Sequence, residues 1–301
     1  MARTSDSDLA PHELRVLVAV ADTGGFSAAA GKLGLTQSAI SHSVRGSERK
    51  IGAVLFERGR SGARPTAAGE KAVAHARRIL RLLDVLTAEA RGAARSDAAE
   101  GPLRIAAFRS AALHLLPPVL QRLRARHPGI EPRVRIVREV GRGTAGEVAD
   151  GKADIAIATL GGSVPLPPGL VAGGLFEEPY ALVHAVGQVD PRSLPLVDWA
   201  ENCRSYTRDW WAAQDWIPEA TVEAEDDGAV LSLVSGGHGM AIMPALSLVG
   251  VPASVGITDL GPRRPTREVG YVTSSELAGS TAVRALVREL RATVPEGCER
   301  S

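Results

Sequence analysis

Residues 26–44 read Phe26-Ser27-Ala28-Ala29-Ala30-Gly31-Lys32-Leu33-Gly34-Leu35-Thr36-Gln37-Ser38-Ala39-Ile40-Ser41-His42-Ser43-Val44. Ser27 is placed to cap a short helix ending at Leu33, and Gly34 to supply the positive φ of a tight turn. Thr36 then caps a second helix. Ala30, Leu35, Ile40 and Val44 are spaced to face inward where the two helices cross. A small residue, a turn glycine four residues on and an isoleucine six beyond it have the spacing of a helix-turn-helix. An unrelated helical hairpin could also turn on a glycine. Against that reading stands the polar outer face of the second helix, where Gln37, Ser38, Ser41, His42 and Arg45 present hydrogen-bonding groups.

On the N-terminal side, residues 11–22 predict a helix, with Pro11 in its first turn and Leu14, Leu17, Val18 and Ala21 at helical spacing. Thr23-Gly24-Gly25 stops it. On the other side, Leu55–Arg58 predicts a short strand running into the hairpin Gly59-Arg60-Ser61-Gly62-Ala63-Arg64-Pro65. This is a basic wing, with Arg58, Arg60 and Arg64 within reach of phosphates. From Thr66 a long helix is expected to about Arg91. Ala72, Ala76, Ile79, Leu83, Leu86 and Ala90 recur at alternating steps of four and three, an a/d seam. Fewer than three heptads could equally pack on a globular body. Gly92–Gly101 reads as a hinge.

The remainder alternates strand and helix. A strand at Leu103–Ala107 leads to a helix capped by Ser110 and running to about Arg126, broken by His127-Pro128-Gly129. A second strand is expected at Val134–Val140, and Thr144-Ala145-Gly146-Glu147 as a capping box opening the next helix. Gly151 ends that helix before a strand at Ile155–Ala158. Such an order implies a parallel sheet with right-handed crossovers. Near Pro179-Tyr180 the chain enters a second α/β lobe. It holds a helix at Gly228–Ser235, a turn at Gly236-Gly237-His238-Gly239 and a strand at Met240–Met243. Residues 268–272 return as a strand, and Thr281–Thr293 forms the last helix.

Net charge is +1 over 301 residues, but it is unevenly placed. Residues 1–98 hold 15 Lys+Arg against 10 Asp+Glu, and residues 99–301 hold 20 against 24. A basic front and an acidic back suggest that only the front meets a polyanion. None of the seven histidines has a partner at metal-ligand spacing, and neither a G-x-S-x-G elbow nor a P-loop occurs, so enzyme chemistry, metal and cofactor are not expected. The two cysteines, Cys203 and Cys298, make no framework. There is neither a basic-then-apolar leader nor a run of 18 apolar residues, so the expected location is the cytoplasm, away from membrane.

Four motifs in order carry a resemblance: Phe26-Ser27-Ala28-Ala29-Ala30, Thr36-Gln37-Ser38-Ala39-Ile40-Ser41, Leu55-Phe56-Glu57-Arg58 and Thr66-Ala67-Ala68-Gly69. Residues 12–70 resemble the DNA-binding end of a LysR-type transcriptional regulator. Gly46 and Ser47 depart from the family's usual Ala and Leu, which should weaken the end of the recognition helix, Gly costing roughly 1 kcal/mol against Ala. Behind it, Gly101-Pro102-Leu103-Arg104-Ile105, Leu116-Pro117, His127-Pro128-Gly129, Gly151-Lys152-Ala153-Asp154-Ile155-Ala156 and Gly239-Met240-Ala241-Ile242-Met243-Pro244 resemble the family's effector domain.

The resemblance implies an α/β chain in four parts. Residues 1–65 are a winged helix-turn-helix, 66–91 a linker helix for dimerisation, 92–101 a hinge, and 102–301 a two-lobed effector domain like periplasmic solute-binding proteins. Its lobes fall at about 102–179 with 268–301, and at 180–267. The implied partners are double-stranded DNA, a second copy of the chain in a homodimer or homotetramer, a small-molecule effector and RNA polymerase. DNA contacts fall to Ser27, Thr36, Gln37, Ser38, Ser41, His42, Arg45, Arg58, Arg60 and Arg64, with Gln37 either reading a base edge or capping its own helix. Ligands of parallel sheets lie beyond the strands' carboxyl ends. Arg109, Ser110 and Thr159 lie at such ends, while Ser205, Tyr206 and Thr207 fall where the family's cleft residues are found. Arg109 beside a helix N-terminus suits an anionic effector, unless a nearby carboxylate already pairs with it. An effector-independent regulator and a redox-responsive one using Cys203 are the alternatives.

Overall fold

The computed structural model describes residues 8–59, 62–94, 100–161, 166–199, 201 and 207–300. Two compact units divide the chain near residue 96.

The first unit opens with α1 (Pro11–Thr23), which buries Leu14, Val16, Leu17, Ala19 and Val20. Helix α2 (Phe26–Leu33) starts two residues earlier than expected. Its N-cap is Gly25, and Ser27 lies exposed inside the first turn without capping anything. Gly34 takes φ 66° at the turn, and Thr36 caps α3 (Gln37–Ile51), its Oγ1 accepting the Ala39 N–H at 3.2 Å. Ala30, Ile40 and Val44 are buried, but Leu35 is 50% exposed and Leu33 packs on the core instead. The turn residue follows the left-handed glycine, so its side chain points away from the helix crossing.

Gly46 and Ser47 do not interrupt α3, which runs unbroken to Ile51. Ser47 is fully buried and its hydroxyl donates to the Ser43 carbonyl at 3.1 Å. A Cβ on Gly46 would meet only Glu13 Oε1, at 3.8 Å. The site therefore has room for a methyl group, and helical alanine loses less backbone freedom on folding than glycine. Gly46→Ala should stabilise this unit by about 0.5–1 kcal/mol. A urea melt showing no gain, or a loss, would mean that the carboxylate of Glu13 is crowded.

The wing pairs β1 (Phe56–Gly59) with β2 (Gly62–Pro65), antiparallel, Glu57 opposite Arg64. The Ala63 N–H donates to the Gly24 carbonyl at 2.7 Å, which pins the hairpin to the α1–α2 turn. Helix α4 (Ala67–Ala94) follows. Thr66 is its cap, the Oγ1 accepting the Gly69 N–H at 3.0 Å. The helix passes Arg91, so Gly92–Ala94 belong to it and not to a hinge. Once the ladder of hydrogen bonds is running, a single glycine costs too little to end it. Residues 95–99 of the expected hinge lie outside the described residues, and Gly101 already belongs to a strand.

In the second unit, β3 (Gly101–Ala107) begins two residues before the expected start. Arg109 and Ser110 are already helical, and a π-turn at Ala111–Leu115 leads into α5 (Leu116–Arg126). Ser110 makes no capping hydrogen bond. Pro117 and Pro118 supply no N–H to the preceding turn, and the Leu116 N–H reaches back five residues to Ala111. Strand β4 (Ile130–Ile136) lies four residues ahead of the expected Val134–Val140. It pairs in parallel with β3 directly from the turn, Gly101 opposite Ile130.

Helix α6 (Gly143–Ala149) is short, and β5 (Ile155–Leu160) pairs in parallel with β3. The expected β-α-β-α-β order is therefore present. Strand β6 (Leu170–Ala185), absent from the sequence reading, is 16 residues long and runs from one lobe into the other. The second lobe adds β7 (Leu196–Trp199), α7 (Thr207–Ala212), β8 (Ala220–Ala224), α8 (Asp227–Ser235), β9 (Ala241–Pro244) and β10 (Val255–Asp259). Strand β11 (Thr266–Ser274) returns to the first lobe, followed by α9 (Thr281–Arg291) and β12 (Glu299–Arg300). The eight-stranded sheet runs β10-β6-β11-β5-β3-β4, with β9 and β12 also on β6.

Candidate DNA-binding surface and effector site

On α3, Gln37, Ser38, His42 and Arg45 are exposed, as expected. Ser41 is not: it is 7% exposed and accepts a hydrogen bond from Gln37 Nε2 at 3.2 Å. It lies one residue past the buried Ile40, on the edge that turns toward the core. Gln37 does not cap its helix, since Thr36 does. Arg64 is exposed on the wing, whereas Arg60 and the side chain of Arg58 lie outside the described residues.

An ion pair ties α3 to α1. Lys50 Nζ donates to Glu13 Oε2 at 2.8 Å, and the same carboxylate accepts the Ala10 N–H at 2.8 Å. Burial alone would raise the Glu13 pKa, but Lys50 and the Ala10 N–H outweigh it and hold the carboxyl below its usual range.

The α4 seam divides in two. Ala76 is buried, and Ala72 packs on the core of the first unit together with Val73. They are internal contacts and not part of an outer seam. Beyond them Ile79 is 46%, Leu83 36% and Leu86 65% exposed, joined by Leu82 at 37%. Ala90 is exposed as well.

At the ends of the first lobe's strands, the expected anion site is differently occupied. Arg109 Nη1 donates to Asp227 Oδ1 at 2.6 Å, and the other Asp227 oxygen accepts from Ser247 Oγ at 2.9 Å. The guanidinium is therefore already committed to a carboxylate at the start of α8. Thr144 does not form the expected capping box either. Glu139 takes that role, accepting the Thr144 N–H at 2.9 Å and the Thr159 N–H at 3.0 Å, while the Thr144 hydroxyl donates to the Ile157 carbonyl at 2.8 Å. Thr207 is fully buried. Ser205, Tyr206 and Cys203 lie outside the described residues.

Several groups absent from the sequence reading meet here. Arg267 Nε donates to Glu178 Oε2 at 2.7 Å, and its guanidinium lies 4.7 Å from the centre of the Phe108 ring. Arg267 Nη2 and Thr159 Oγ1 are buried without a hydrogen-bond partner. Arg138 Nε lies 3.7 Å from Glu201 Oε1. Burial and the nearby Asp227 push the Glu201 carboxyl up, against Arg138 and Arg267. His114, on the π-turn, is lowered by burial despite Asp227. The readable signal was the acidic pair Asp226-Asp227 before a helix. Nothing local marks Arg267 or Glu178, which meet only through strand pairing. Cys298 lies near this pair, its thiol pushed up to about 12 by burial and Glu178. Such a thiol is a poor nucleophile.

Residues 11–70 match the model of the bacterial regulatory helix-turn-helix protein, lysR family, and residues 96–295 that of the LysR substrate binding domain. The chain is 34% identical over 297 residues to a probable HTH-type transcriptional regulator, LrrA, of Synechococcus elongatus, covering 94% of this chain and 97% of the relative. It is 32% identical over 229 residues to the small neutral protease regulatory protein of Streptomyces coelicolor, covering 74% of this chain and 68% of that one. Among solved structures, a full-length OxyR variant from Pseudomonas aeruginosa superposes with a TM-score of 0.74 at 21% identity, over 98% of this chain and 99% of that one. CbnR complexed with its target DNA has the same fold, with a TM-score of 0.66 at 22% identity over 95% of this chain and 100% of that one. These likenesses extend through both units, from the capped helix α3 to the two-lobed sheet, and the chain belongs to the LysR family of transcriptional regulators.

Proposed function

We propose that this DNA-binding regulator reads its operator in the major groove with Gln37, Ser38, His42 and Arg45, while Ser41 holds Gln37 in position. The observation that carries this reading is the Thr36-capped start of α3, whose outer side chains are exposed polar groups. Ser27, Thr36, Arg58, Arg60 and Arg64 supply backbone contacts, which set affinity and register but not sequence. Gln37→Ala should cut binding to the operator, recovered by selection from genomic DNA, at least tenfold more than binding to random duplex. Each good bidentate base contact contributes about 1–3 kcal/mol of discrimination. Equal loss on both duplexes would refute base reading at Gln37.

A second copy of the chain covers the exposed apolar residues Ile79, Leu82, Leu83 and Leu86 of α4, giving a homodimer, and pairs of dimers a homotetramer. Leu86→Glu would place a charge in that interface, and sedimentation should show smaller species that bind the operator more weakly. An unchanged oligomer would refute the seam. A small-molecule effector binds beyond the carboxyl ends of the first lobe's strands, near Arg109, Ser110, Thr159 and the segment Ser205-Tyr206-Thr207. By linkage it shifts the regulator only as far as it prefers one arrangement of the lobes. The readout at the promoter is RNA polymerase recruitment, in the cytoplasm. Among the described residues no helix is long and apolar enough to cross a membrane.

A further inference from the structure

We infer that the effector is a zwitterion, a small molecule carrying both an ammonium and a carboxylate in the manner of an α-amino acid, rather than an anion. This rests on the effector site proposed above and names the chemistry that site would take.

The charges at the strand ends come in opposed pairs: Arg109 with Asp227, Arg138 with Glu201, and Arg267 with Glu178. Glu139 is the seventh group, held by the backbone N–H groups of Thr144 and Thr159. Among the described residues, four carboxylates thus stand against three guanidinium groups. An added anion would meet a set that is already negative, and like charges in a half-buried place disfavour it. An ammonium would find the carboxylates of Glu201 and Glu139 undersupplied with cations. Burial, and then the nearby Asp227, hold the Glu201 carboxyl above its usual range.

A plain amine, however, leaves the other half of the site unused. Arg267 is 9% exposed, and its Nη2 donates to nothing. Its charge acts on both Glu201 and Glu139, so the guanidinium lies near both carboxylates. On β11, Val269 lies opposite Thr159, and Arg267 lies two residues before Val269, on the same face of the sheet. Thr159 Oγ1 is likewise buried without a partner. Buried donors left unpaired are costly and rare, and two at one sheet end call for an oxygen acceptor. A carboxylate on Arg267 Nη2 and the Thr159 hydroxyl, with its ammonium toward Glu201 and Glu139, supplies both shortages at no net change of charge.

The test uses the full-length protein, read by thermal unfolding and titration calorimetry. The probes are the common L-amino acids, the matching 2-oxo acids that lack the ammonium, and the matching amines that lack the carboxylate. At least one amino acid should raise the melting temperature and bind at least tenfold more tightly than its oxo acid and its amine. Thr159→Val and Glu201→Gln, checked for unchanged melting without ligand, should each weaken that amino acid about tenfold. A 2-oxo acid that binds as tightly as the amino acid, and loses affinity in Thr159→Val, would overturn the zwitterion and keep the site. An amino acid untouched by both substitutions would overturn the site itself. Binding by none of the amino acids would overturn the inference.

Discussion

Gly69→Ala is expected to destabilise the DNA-binding unit by about 3 kcal/mol, at the upper end of ordinary overpacking costs. Gly69 lies in the first turn of α4, where the helix passes over the carbonyl of Leu55. A Cβ there would stand 1.9 Å from the Leu55 oxygen and 2.9 Å from its carbon. The obstacle is backbone and not a flexible side chain, so it cannot rotate away. Nor can the helix retreat, because the Thr66 N–H donates to that same oxygen at 2.9 Å and the Thr66 hydroxyl donates to the Val54 carbonyl at 2.8 Å. Moving the helix would break its own cap. Leu55 and Phe56 are core residues, so the displacement would reach the wing. Urea unfolding followed by far-UV circular dichroism, with operator binding in parallel, measures both effects. Gly46→Ala is the matched control, expected to change stability in the opposite direction. A Gly69→Ala protein as stable as its parent would show that α4 can move off the Leu55 carbonyl without loss.

Glu178→Leu should cost the effector domain about 3–5 kcal/mol, the range for leaving one partner of a buried ion pair uncompensated. Glu178 is fully buried and Arg267 is 9% exposed. One Glu178 oxygen accepts from Arg267 at 2.7 Å and the other accepts the Leu246 N–H at 2.6 Å. The substitution therefore strands a guanidinium and a backbone donor together. Arginine cannot escape by losing its proton. The double variant Glu178→Leu with Arg267→Met removes both charges, and should recover much of the loss. A thermodynamic cycle on the full-length protein gives the coupling. If the single substitution costs less than about 1 kcal/mol, water reaches the pair and it belongs to the surface class.

The first unit was largely legible in the sequence, because its decisive signals are local. Gly34 and Thr36 act within four residues of themselves, through a positive φ and a side-chain hydrogen bond, so the turn and the start of α3 could be read directly. The succession of β3, β4 and β5 along the chain was legible for the same reason, from helix and strand alternation and the turn at His127–Gly129. Errors in this part came where two local signals competed. Ser110 and Thr144 both look like caps. Ser110 is already helical, and the N–H group of Thr144 is taken by Glu139, five residues upstream.

Tertiary structure alone decided the rest. The apolar repeat of α4 gave the same spacing to Ala72 and Leu86, but only packing against the first unit's core separates the buried part from the exposed one. The effector site turned on pairings between residues far apart in sequence: Arg109 with Asp227 across 118 positions, and Glu178 with Arg267 across 89. Periodicity and capping report what a residue does within its own turn. Which carboxylate meets which guanidinium depends on strand register. Val269 lies opposite Thr159 on one side of β11, and Arg267 opposite Glu178 on the other. That register is set by the whole sheet, and it converts a site expected to welcome an anion into one whose guanidinium groups already face carboxylates.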